Sequence, residues 1–528
     1  MTTDSLSPEF AQEVANGYTF DGPTLKLGAL VQGEEATESA QVQIPLAMMN
    51  RHGLVAGATG TGKTRTLQLM AEGLSEAGVP VFAADIKGDL TGMAIDGEPK
   101  DFIDKRAADI GQDWSPASYP MEFYSLGGIG TGVPIRTTVT DFGPLLLSKV
   151  LGLNDTQESS LSLIFHWADT NKLALLDLKD LRSVIAYLTS KEGKEELAGI
   201  GGVSPATAGV ILREISSLEA QGAEEFFGEP AFDTKDLLTV GADGRGVISA
   251  LELPSLQDRP ALFSTFLMWL LADLFADLPE VGDLDKPKLV FFFDEAHLLF
   301  TDASKEFLTQ VTQTVRLIRS KGVGVFFVTQ SPKDIPADVL GQLGSRVQHA
   351  LRAFTPEDAA ALKAAVRTYP NSPYELEKTL TSLATGEAVV TVLSEKGAPT
   401  PVAWTRLRAP RGSMDAAPAE AVTAVINASA GSAKYAVETD RESAYELLAA
   451  RVEATAAAAA QAEAAEAQAK ADSAAKKAET APRRTSTRKE KSVVEEILTS
   501  STTKSLARSA GRELINQISR SIFGTRSR

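Results

Sequence analysis

The apolar residues of the chain fall into two recurring patterns between Gly53 and Phe354. Short, fully apolar runs bounded by glycine, proline or charge are typical of buried strands, and the longer segments between them have apolar positions at helical spacing. The predicted strands cover residues 53–56, 79–84, 289–293 and 323–329. This alternation predicts an α/β fold in which a parallel sheet has helices on both faces.

Residues 141–280 depart from this alternation, because most of their apolar positions recur at helical spacing. We interpret them as a helical insertion that divides the α/β core into a first part, 51–140, and a second part, 281–410. The predicted helices are 145–153, 158–167, 177–189, 204–221 and 261–278. The last of these is the longest apolar stretch of the chain, but Asp273 and Asp277 interrupt it, which favours a buried helix over a membrane span.

Two further segments have β character. Residues 25–45 alternate weakly and predict one or two strands, which form a short N-terminal β element within residues 1–50. Residues 386–407, with a turn at 395–399, predict a hairpin that closes the sheet.

The composition changes after Pro410. Within residues 411–492, the stretch 454–477 is rich in Ala, Glu, Gln and Lys and predicts a solvated helix or a weak coiled coil. Residues 478–491 are a basic linker that we expect to be disordered. Residues 493–528 return to an amphipathic helical pattern with scattered Arg and Lys.

Composition and charge exclude several kinds of site. The chain has 528 residues, which suggests two to four domains, and it has no cysteine, so disulfides, thiolate metal sites and a cysteine nucleophile are excluded. Four histidines make a zinc cluster improbable. The absence of cysteine and of a secretory pattern near Met1 leads us to expect a cytoplasmic protein. The net charge of −17 means that any nucleic-acid contact has to be local.

One motif in the chain has the pattern of a phosphate-binding loop, G-x-x-x-x-G-K-[ST]. It lies between a predicted strand and a predicted helix, and it consists of Gly57, Ala58, Thr59, Gly60, Thr61, Gly62, Lys63 and Thr64. Glycines let backbone N–H groups curl around phosphates, and the helix N-terminus adds partial positive charge. We expect Lys63 to reach the β- and γ-phosphates of ATP and Thr64 to bind Mg²⁺.

A pair of acids, Asp294 and Glu295, follows the apolar run at 289–293. Ligands of open α/β sheets lie at the carboxyl ends of the strands. We therefore expect Asp294 to hold Mg²⁺ and Glu295 to act as the general base on the attacking water. The alternative is that the two acids cap the next helix.

Other polar residues also follow predicted strands. Gln330 comes directly after the strand at 323–329, and we expect its amide to sense the γ-phosphate or the attacking water. Asp85 follows the strand at 79–84, and its role stays open between the site and the local structure. Arg346 and Arg352 are candidates for an arginine supplied by a neighbouring subunit, against the alternative of surface ion pairs.

The order of these motifs is informative. After the phosphate loop come residues 85–90 (DIKGDL), 294–300 (DEAHLLF), 329–332 (TQSP) and the stretch around Arg346. The letters DEAH also name a group of superfamily-two helicases, but the other motifs of that group are not found. We therefore expect His297 to be a capping or interface residue. Over about residues 25–410 the ordered set resembles the HerA/FtsK clan of ATPases, and within it the bacterial HerA-like helicase family of the YjgR type.

This resemblance implies a RecA-like P-loop core, a hexameric ring with ATP between subunits, and DNA in the pore. It places Lys63, Thr64, Asp294, Glu295 and Gln330 on the ATPase positions and favours Arg346 as the interface arginine. A nuclease or another protein is the implied partner, although the N-terminal β region is short compared with that of archaeal HerA. Candidates for basic pore residues are Arg316, Arg319, Lys321 and Lys333.

The C-terminal segment leaves a second hypothesis open. Residues 493–523 have the pattern of an amphipathic helix whose Lys and Arg residues would meet anionic lipid. In that case the chain would be a non-translocating ATP switch that organises partners at a membrane. The alternative for this helix is packing on its own protein or self-association.

Overall fold

The computed structural model describes residues 8–479, apart from 198, 200, 257–258 and 301–304. The chain divides into two compact units. The first comprises Met1–Ser159 and Arg213–Asp440, and the second comprises Ser160–Leu212 and Arg441–Arg528. The predicted C-terminal amphipathic helix, 493–528, and nearly all of the predicted basic linker lie outside the described residues.

A single mixed sheet forms the centre of the first unit. The strands found among the described residues are β1 Thr24–Gln32, β2 Glu35–Pro45, β3 Gly53–Ala56, β4 Val81–Asp85, β5 Met121–Leu126, β6 Val133–Ile135, β7 Ile248–Glu252, β8 Leu289–Phe293, β9 Val323–Thr329, β10 Ser345–Gln348, β11 Glu387–Thr391 and β12 Ala403–Leu407. Their order across the sheet is β2-β1-β12-β11-β10-β3-β9-β8-β4-β7-β5-β6.

The sheet has a parallel part and an antiparallel part. From β10 to β6 all neighbouring strands are parallel, which confirms the predicted α/β core. From β10 to β2 all neighbours are antiparallel. The predicted hairpin is found as β11 and β12, and its turn is closed by a hydrogen bond from Ser394 N to Ala398 O of 2.8 Å. It does not close the sheet as predicted, because β1 pairs with β12 and extends the sheet beyond it.

Helices account for much of the rest of the described chain. Their bounds are α1 Pro8–Gly17, α2 Lys63–Glu76, α3 Asp101–Ile110, α4 Val139–Phe142, α5 Pro144–Val150, α6 Asp155–Thr170, α7 Leu178–Thr189, α8 Pro205–Glu219, α9 Pro260–Asp277, α10 His297–Phe300, α11 Lys305–Ile318, α12 Ala337–Leu340, α13 Pro356–Val366, α14 Leu376–Ser382, α15 Ala419–Ala428, α16 Ala430–Tyr435 and α17 Ala444–Glu479. Within the part of the chain that is described, no helix is long and apolar enough to cross a membrane.

The core of the first unit forms around the central strands. Every residue of β3, β4, β8 and β9 is buried, as expected for parallel strands covered on both faces. Phe292 and Phe326 contact each other across β8 and β9, with ring centroids 5.4 Å apart and the rings tilted by 35°. Apolar residues of α2, including Leu67 and Met70, belong to the same buried cluster. This packing fixes the carboxyl ends of the central strands relative to α2.

The segment 141–280, which has a mostly helical pattern, also contains a strand that the sequence does not predict. Strand β7 (Ile248–Glu252) lies in that segment and pairs with β4 on one side and β5 on the other. All five of its residues are buried, but Ser249 and Glu252 interrupt the apolar run by which a central strand is recognised. For the same reason β5, which contains Glu122 and Ser125, is not evident from the sequence.

The predicted N-terminal β element is not a separate body. Its two strands, β1 and β2, join the main sheet through pairing of β1 with β12, in which Gly28 faces Leu407. Helix α1, which the sequence does not predict, precedes them.

In the second unit, α7 packs against the beginning of α17. The Asp180 carboxylate accepts hydrogen bonds from Tyr445 N (2.8 Å) and from the Ser443 hydroxyl (2.5 Å). From residue 453 to residue 476 every residue of α17 is exposed, as expected for the solvated helix predicted at 454–477.

Candidate nucleotide site

Four neighbouring parallel strands, β3, β9, β8 and β4, end at the same edge of the sheet. The glycine-rich loop follows β3, Gln330 follows β9, and the acids Asp294 and Glu295 follow β8. Asp85 is the last residue of β4. The structure therefore brings together segments that lie more than two hundred residues apart in the chain, as the sequence predicts.

The loop after β3 has the backbone of a phosphate cradle. Gly60 and Gly62 have φ angles of 81° and 113°, in the left-handed region that favours glycine, and Gly62 is the N-cap of α2. At Gly57 the limit is space, because an added Cβ would lie 2.4 Å from the Cβ of His349. A loop with these glycine conformations that leads into a helix N-terminus has the form that anion binding by backbone N–H groups requires.

Lys63 and Thr64 are the first two residues of α2. The Lys63 side chain is buried against its own loop, and Nζ donates to Gly57 O (2.7 Å) and Ala58 O (3.3 Å). Burial lowers the pKa of Lys63, although the nearby carboxylate of Glu295 opposes this shift. The ammonium group therefore lies at the loop, within electrostatic reach of the acids after β8.

Two segments that the sequence does not single out support the loop from behind. The imidazole of His349, at the end of β10, is hydrogen-bonded to the Thr66 hydroxyl of α2 at 2.8 Å, and burial lowers its pKa to about 4. Gly386, before β11, donates its N–H to Thr61 O at 3.0 Å. Neither residue belongs to a motif, so only the tertiary structure identifies them as loop supports.

Asp294 is buried and has one oxygen without a partner. Oδ1 accepts the N–H of Glu295 at 2.9 Å, whereas Oδ2 has no hydrogen-bond partner among the described residues. Burial, reinforced by the charge of Glu295, raises the pKa of Asp294 to about 7. A buried carboxylate oxygen without a partner is energetically costly unless a cation balances it. Oδ2 of Asp294 and the Thr64 hydroxyl fit Mg²⁺, which takes oxygen ligands and keeps several waters.

Glu295 has a strained backbone and several polar neighbours. Its φ of 44° is in the left-handed region, which is costly for a residue with a side chain. Oε1 forms an ion pair with Lys87 Nζ, and Oε2 faces Gln330 Nε2 at 3.5 Å and His297 Nδ1 at 3.3 Å. Burial by itself raises the pKa of this carboxyl, but the hydrogen bond and charge of Lys87 hold the pKa below its ordinary value.

Asp85 shapes the loop that carries Lys87. Its Oδ1 accepts from the N–H groups of Lys87 (3.1 Å) and Gly88 (2.7 Å), and its Oδ2 accepts from Leu90 N (2.8 Å). Both carboxylate oxygens are thus used by the backbone, which supports the structural alternative for Asp85. Lys87 lies in the segment 85–90, but the sequence does not identify it as a site residue, because a lysine in a loop has no distinctive spacing.

Asp334 fixes the turn after Gln330. Its Oδ2 accepts from the Thr329 hydroxyl (2.8 Å) and from Ser331 N (2.9 Å), which forms a capping box with Ser331. The exposed Gln330 side chain is therefore held between two fixed backbone positions and is directed towards Glu295. The Ser-Pro-Lys-Asp spacing is the sequence signal that identifies this cap.

The two arginine candidates lie in different places. Arg346 lies on β10, where Nη1 bonds to the Thr368 hydroxyl and the guanidinium carbon lies 5.8 Å from the centroid of the Tyr369 ring. Arg352 reaches the phosphate loop of its own chain, where Nη2 donates to Thr59 O at 3.2 Å.

A cavity of about 510 Å³ opens beside the phosphate loop. Its lining combines the loop, the turn after β9 and the segment after β10, and includes Ala58, Thr59, His297, Gln330, Lys333 and Arg352. His297 is the first residue of α10 and lies in this lining, beside Glu295, and its capping or interface role stays a prediction.

Comparison with known proteins identifies the family. Residues 31–528 match the family described as "Helicase HerA-like C-terminal". The chain belongs to the HerA-like helicase family. Over 377 residues it is 24% identical to the DNA double-strand break repair helicase HerA of Sulfurisphaera tokodaii, a match that covers 70% of this chain and 67% of that protein.

The fold of this HerA-like chain is that of bacterial conjugative coupling proteins. The unbound form of TrwBdeltaN70 matches with a TM-score of 0.50 at 14% identity, covering 77% of this chain and 94% of that one. TrwB in complex with an ATP analogue matches with the same score and identity, covering 76% and 98%. The predicted RecA-like P-loop fold is thereby confirmed. The chain is an ATP-hydrolysing P-loop enzyme of the HerA-like family.

Proposed function

We propose that this chain is an ATP-driven DNA translocase or helicase that works as a homohexameric ring. The observation that carries the proposal is the meeting of the phosphate loop, the acids after β8 and Gln330 at one edge of the sheet, in a chain of the HerA-like family. The S. tokodaii relative is named as a DNA repair helicase, which supports DNA as the substrate.

In this proposal each site residue has a separate role. The phosphate loop binds the phosphates through N–H groups of its second half, towards the N-terminus of α2, and Lys63 neutralises the β- and γ-phosphates. Thr64 and Asp294 hold Mg²⁺, which balances the charge that develops on the phosphate oxygens.

Glu295 and Gln330 act on the attacking water. The water oxygen forms a bond to the γ-phosphorus, and its proton passes to the Glu295 carboxylate. The bond between the γ-phosphorus and the β–γ bridging oxygen breaks, which leaves ADP and inorganic phosphate. Gln330, whose amide lies 3.5 Å from Oε2 of Glu295, orients the water and senses its loss.

We propose Arg346 as the arginine that a neighbouring subunit supplies. Arg352 contacts Thr59 of the same chain and therefore fits a role within its own subunit. Because the net charge is −17, DNA has to meet local basic groups. Arg316 and Arg319 are exposed at the end of α11 and are candidates, whereas Lys333 lines the cavity beside the nucleotide site.

The test is ATPase activity with and without duplex and single-stranded DNA at several salt concentrations. We expect DNA to stimulate hydrolysis, and the stimulation to fall steeply with salt, because phosphate contacts release counterions. The Lys63→Ala variant is the control for contaminating ATPases. Activity that no DNA changes would contradict translocation and favour a non-translocating ATP switch. Light scattering with ATP and DNA would test the ring.

A further inference from the structure

We propose that Lys87 is a positioning residue that restrains the catalytic base. Its ammonium group pairs with Oε1 of Glu295 and holds the carboxylate in a resting position, so that hydrolysis requires this ion pair to open. The inference rests on the proposed function, in which Glu295 receives the proton of the attacking water.

The placement of Lys87 is built into the fold. Strands β4 and β8 are neighbours, with Ala84 facing Phe293, so the residues that follow them emerge side by side. The Asp85 carboxylate accepts three backbone N–H groups of the loop after β4, including that of Lys87 itself. The base of the lysine side chain is thus fixed, and only its flexible stem moves when the ion pair opens.

The contacts of Glu295 explain why the ion pair with Lys87 restrains its carboxylate. Oε1 is bonded to Lys87, and Oε2 faces both Gln330 and His297. A carboxylate has about four lone-pair sites, so these three partners leave little room for a water, and the Lys87 ammonium competes with that water for Oε1. Gln330 and His297 line the cavity beside the phosphate loop, so they can stay in place while a water enters there. Lys87 is the partner that has to leave.

The environment of the pair makes the restraint reversible. The Lys87 side chain is 44% exposed, whereas that of Glu295 is 8% exposed. A half-exposed lysine is solvated when it is released, so opening the pair is a modest cost. Lys87 and Lys63 also lie close enough for their charges to act on each other. The repulsion between these two ammonium groups favours release of Lys87 into solvent.

The experiment compares steady-state hydrolysis of Mg·ATP, without DNA, by full-length wild type, Lys87→Met and Lys87→Arg. Methionine keeps the length of the side chain and removes its charge. We expect Lys87→Met to raise kcat about fivefold with little change in KM, which corresponds to about 1 kcal/mol. Lys87→Arg keeps the ion pair and should behave as wild type.

Two further variants connect the effect to Glu295. The double variant Lys87→Met with Glu295→Gln should have no turnover, because the additional activity passes through the same base. In urea unfolding of the nucleotide-free protein, the two substitutions together should shift the midpoint by less than the sum of their separate shifts. Lys87→Gln serves as a second neutral variant where Lys87→Met is poorly folded.

Several outcomes would overturn the inference. They are an unchanged or lower kcat in both neutral variants, a raised KM that makes Lys87 a phosphate ligand, additive urea shifts, and a raised rate that survives Glu295→Gln. Failure of the proposed function looks different. In that case wild type gains no activity from DNA, or Glu295→Gln by itself retains full turnover.

Discussion

The N–H of Gly57 donates to the carbonyl of Thr329 at 3.1 Å. This bond joins the first residue of the phosphate loop to the last residue of β9, next to Gln330. The strand that carries the predicted sensor is therefore fastened directly to the loop. A shift of either segment is transmitted to the other through a backbone contact, which no side-chain substitution removes.

Replacing Glu295 with glutamine should leave ATP bound but uncleaved. The amide keeps the size of the side chain but does not accept a proton, so kcat should fall by about 10²- to 10⁴-fold. Binding of a fluorescent ATP analogue together with a phosphate-release assay would test this.

Lys63→Ala should lose binding and turnover together. The exposed Glu377→Gln on α14 is a matched control. Turnover near that of wild type in Glu295→Gln would place the base elsewhere.

Gly57→Ala should disrupt the phosphate loop. The new Cβ would lie 2.4 Å from the Cβ of His349, which is buried and hydrogen-bonded to Thr66, so the loop itself has to shift. We expect a loss of about 1–3 kcal/mol in the free energy of unfolding and loss of nucleotide binding.

Gly397→Ala is the control for this substitution. Gly397 has a φ of 76° and no atom within 4 Å of an added Cβ, so alanine at this position introduces backbone strain without a clash. This variant should lose stability but bind nucleotide normally. Equal nucleotide affinities for wild type and Gly57→Ala would refute the explanation.

The role of Arg346 can be tested by mixing subunits. If a neighbour supplies this arginine, Arg346→Ala alone should lose about 10³-fold in kcat. A mixture with Lys63→Ala subunits should regain activity, because an intact phosphate loop then meets Arg346 of the other variant. Arg352→Ala should not be rescued in this way, since Arg352 bonds to Thr59 of its own chain. Absence of rescue for Arg346→Ala would remove it as the interface arginine.

Glu252 should make the stability of the fold depend on pH. It is buried at the end of β7, and burial together with the carboxylates of Asp85 and Asp89 raises its pKa well above the ordinary value of 4.5. As pH rises from about 4.5 through neutrality, the unfolded chain loses this proton first, so stability falls.

Glu252→Gln should remove this fall. The free energy of unfolding of the variant, relative to that of wild type, should be on the order of 2 kcal/mol higher at pH 8 than at pH 5. Urea unfolding at both pH values would measure the difference. The exposed Glu377→Gln should follow the wild-type curve. A Glu252→Gln variant that declines with pH as steeply as wild type would contradict the assignment.

The sequence predicts the parts of the site that depend on local rules. The glycine-rich loop is recognised from spacing, and the positions of Asp294 and Gln330 follow because strands of continuous apolar character end immediately before them. The relationship between Lys87 and Glu295 is not predictable in this way. It depends on which strand lies beside β8, and strand order is set by the whole sheet.

The missed strands have a related cause. Strand β7 is recognised as central only once β4 and β5 are seen on its two sides, because Glu252 breaks its apolar pattern. His349 is a comparable case, since its contact with Thr66 joins residues 283 positions apart. Local pattern therefore gives the ends of the strands at the site, and long-range pairing decides which side chains meet there.

The pairing of β1 with β12 limits how the protein can be shortened. A chain that starts at residue 51 would lack β1 and β2 and would leave the backbone of β12 as an open edge. Such an edge invites pairing with other chains, so the fragment should aggregate. It would also expose β12, whose Leu407 donates its N–H to Gly386 O. Gly386 in turn donates its own N–H to Thr61 O of the phosphate loop. Strands β1 and β2 are therefore integral to the sheet that supports the phosphate loop, and a shortened chain has to keep both of them.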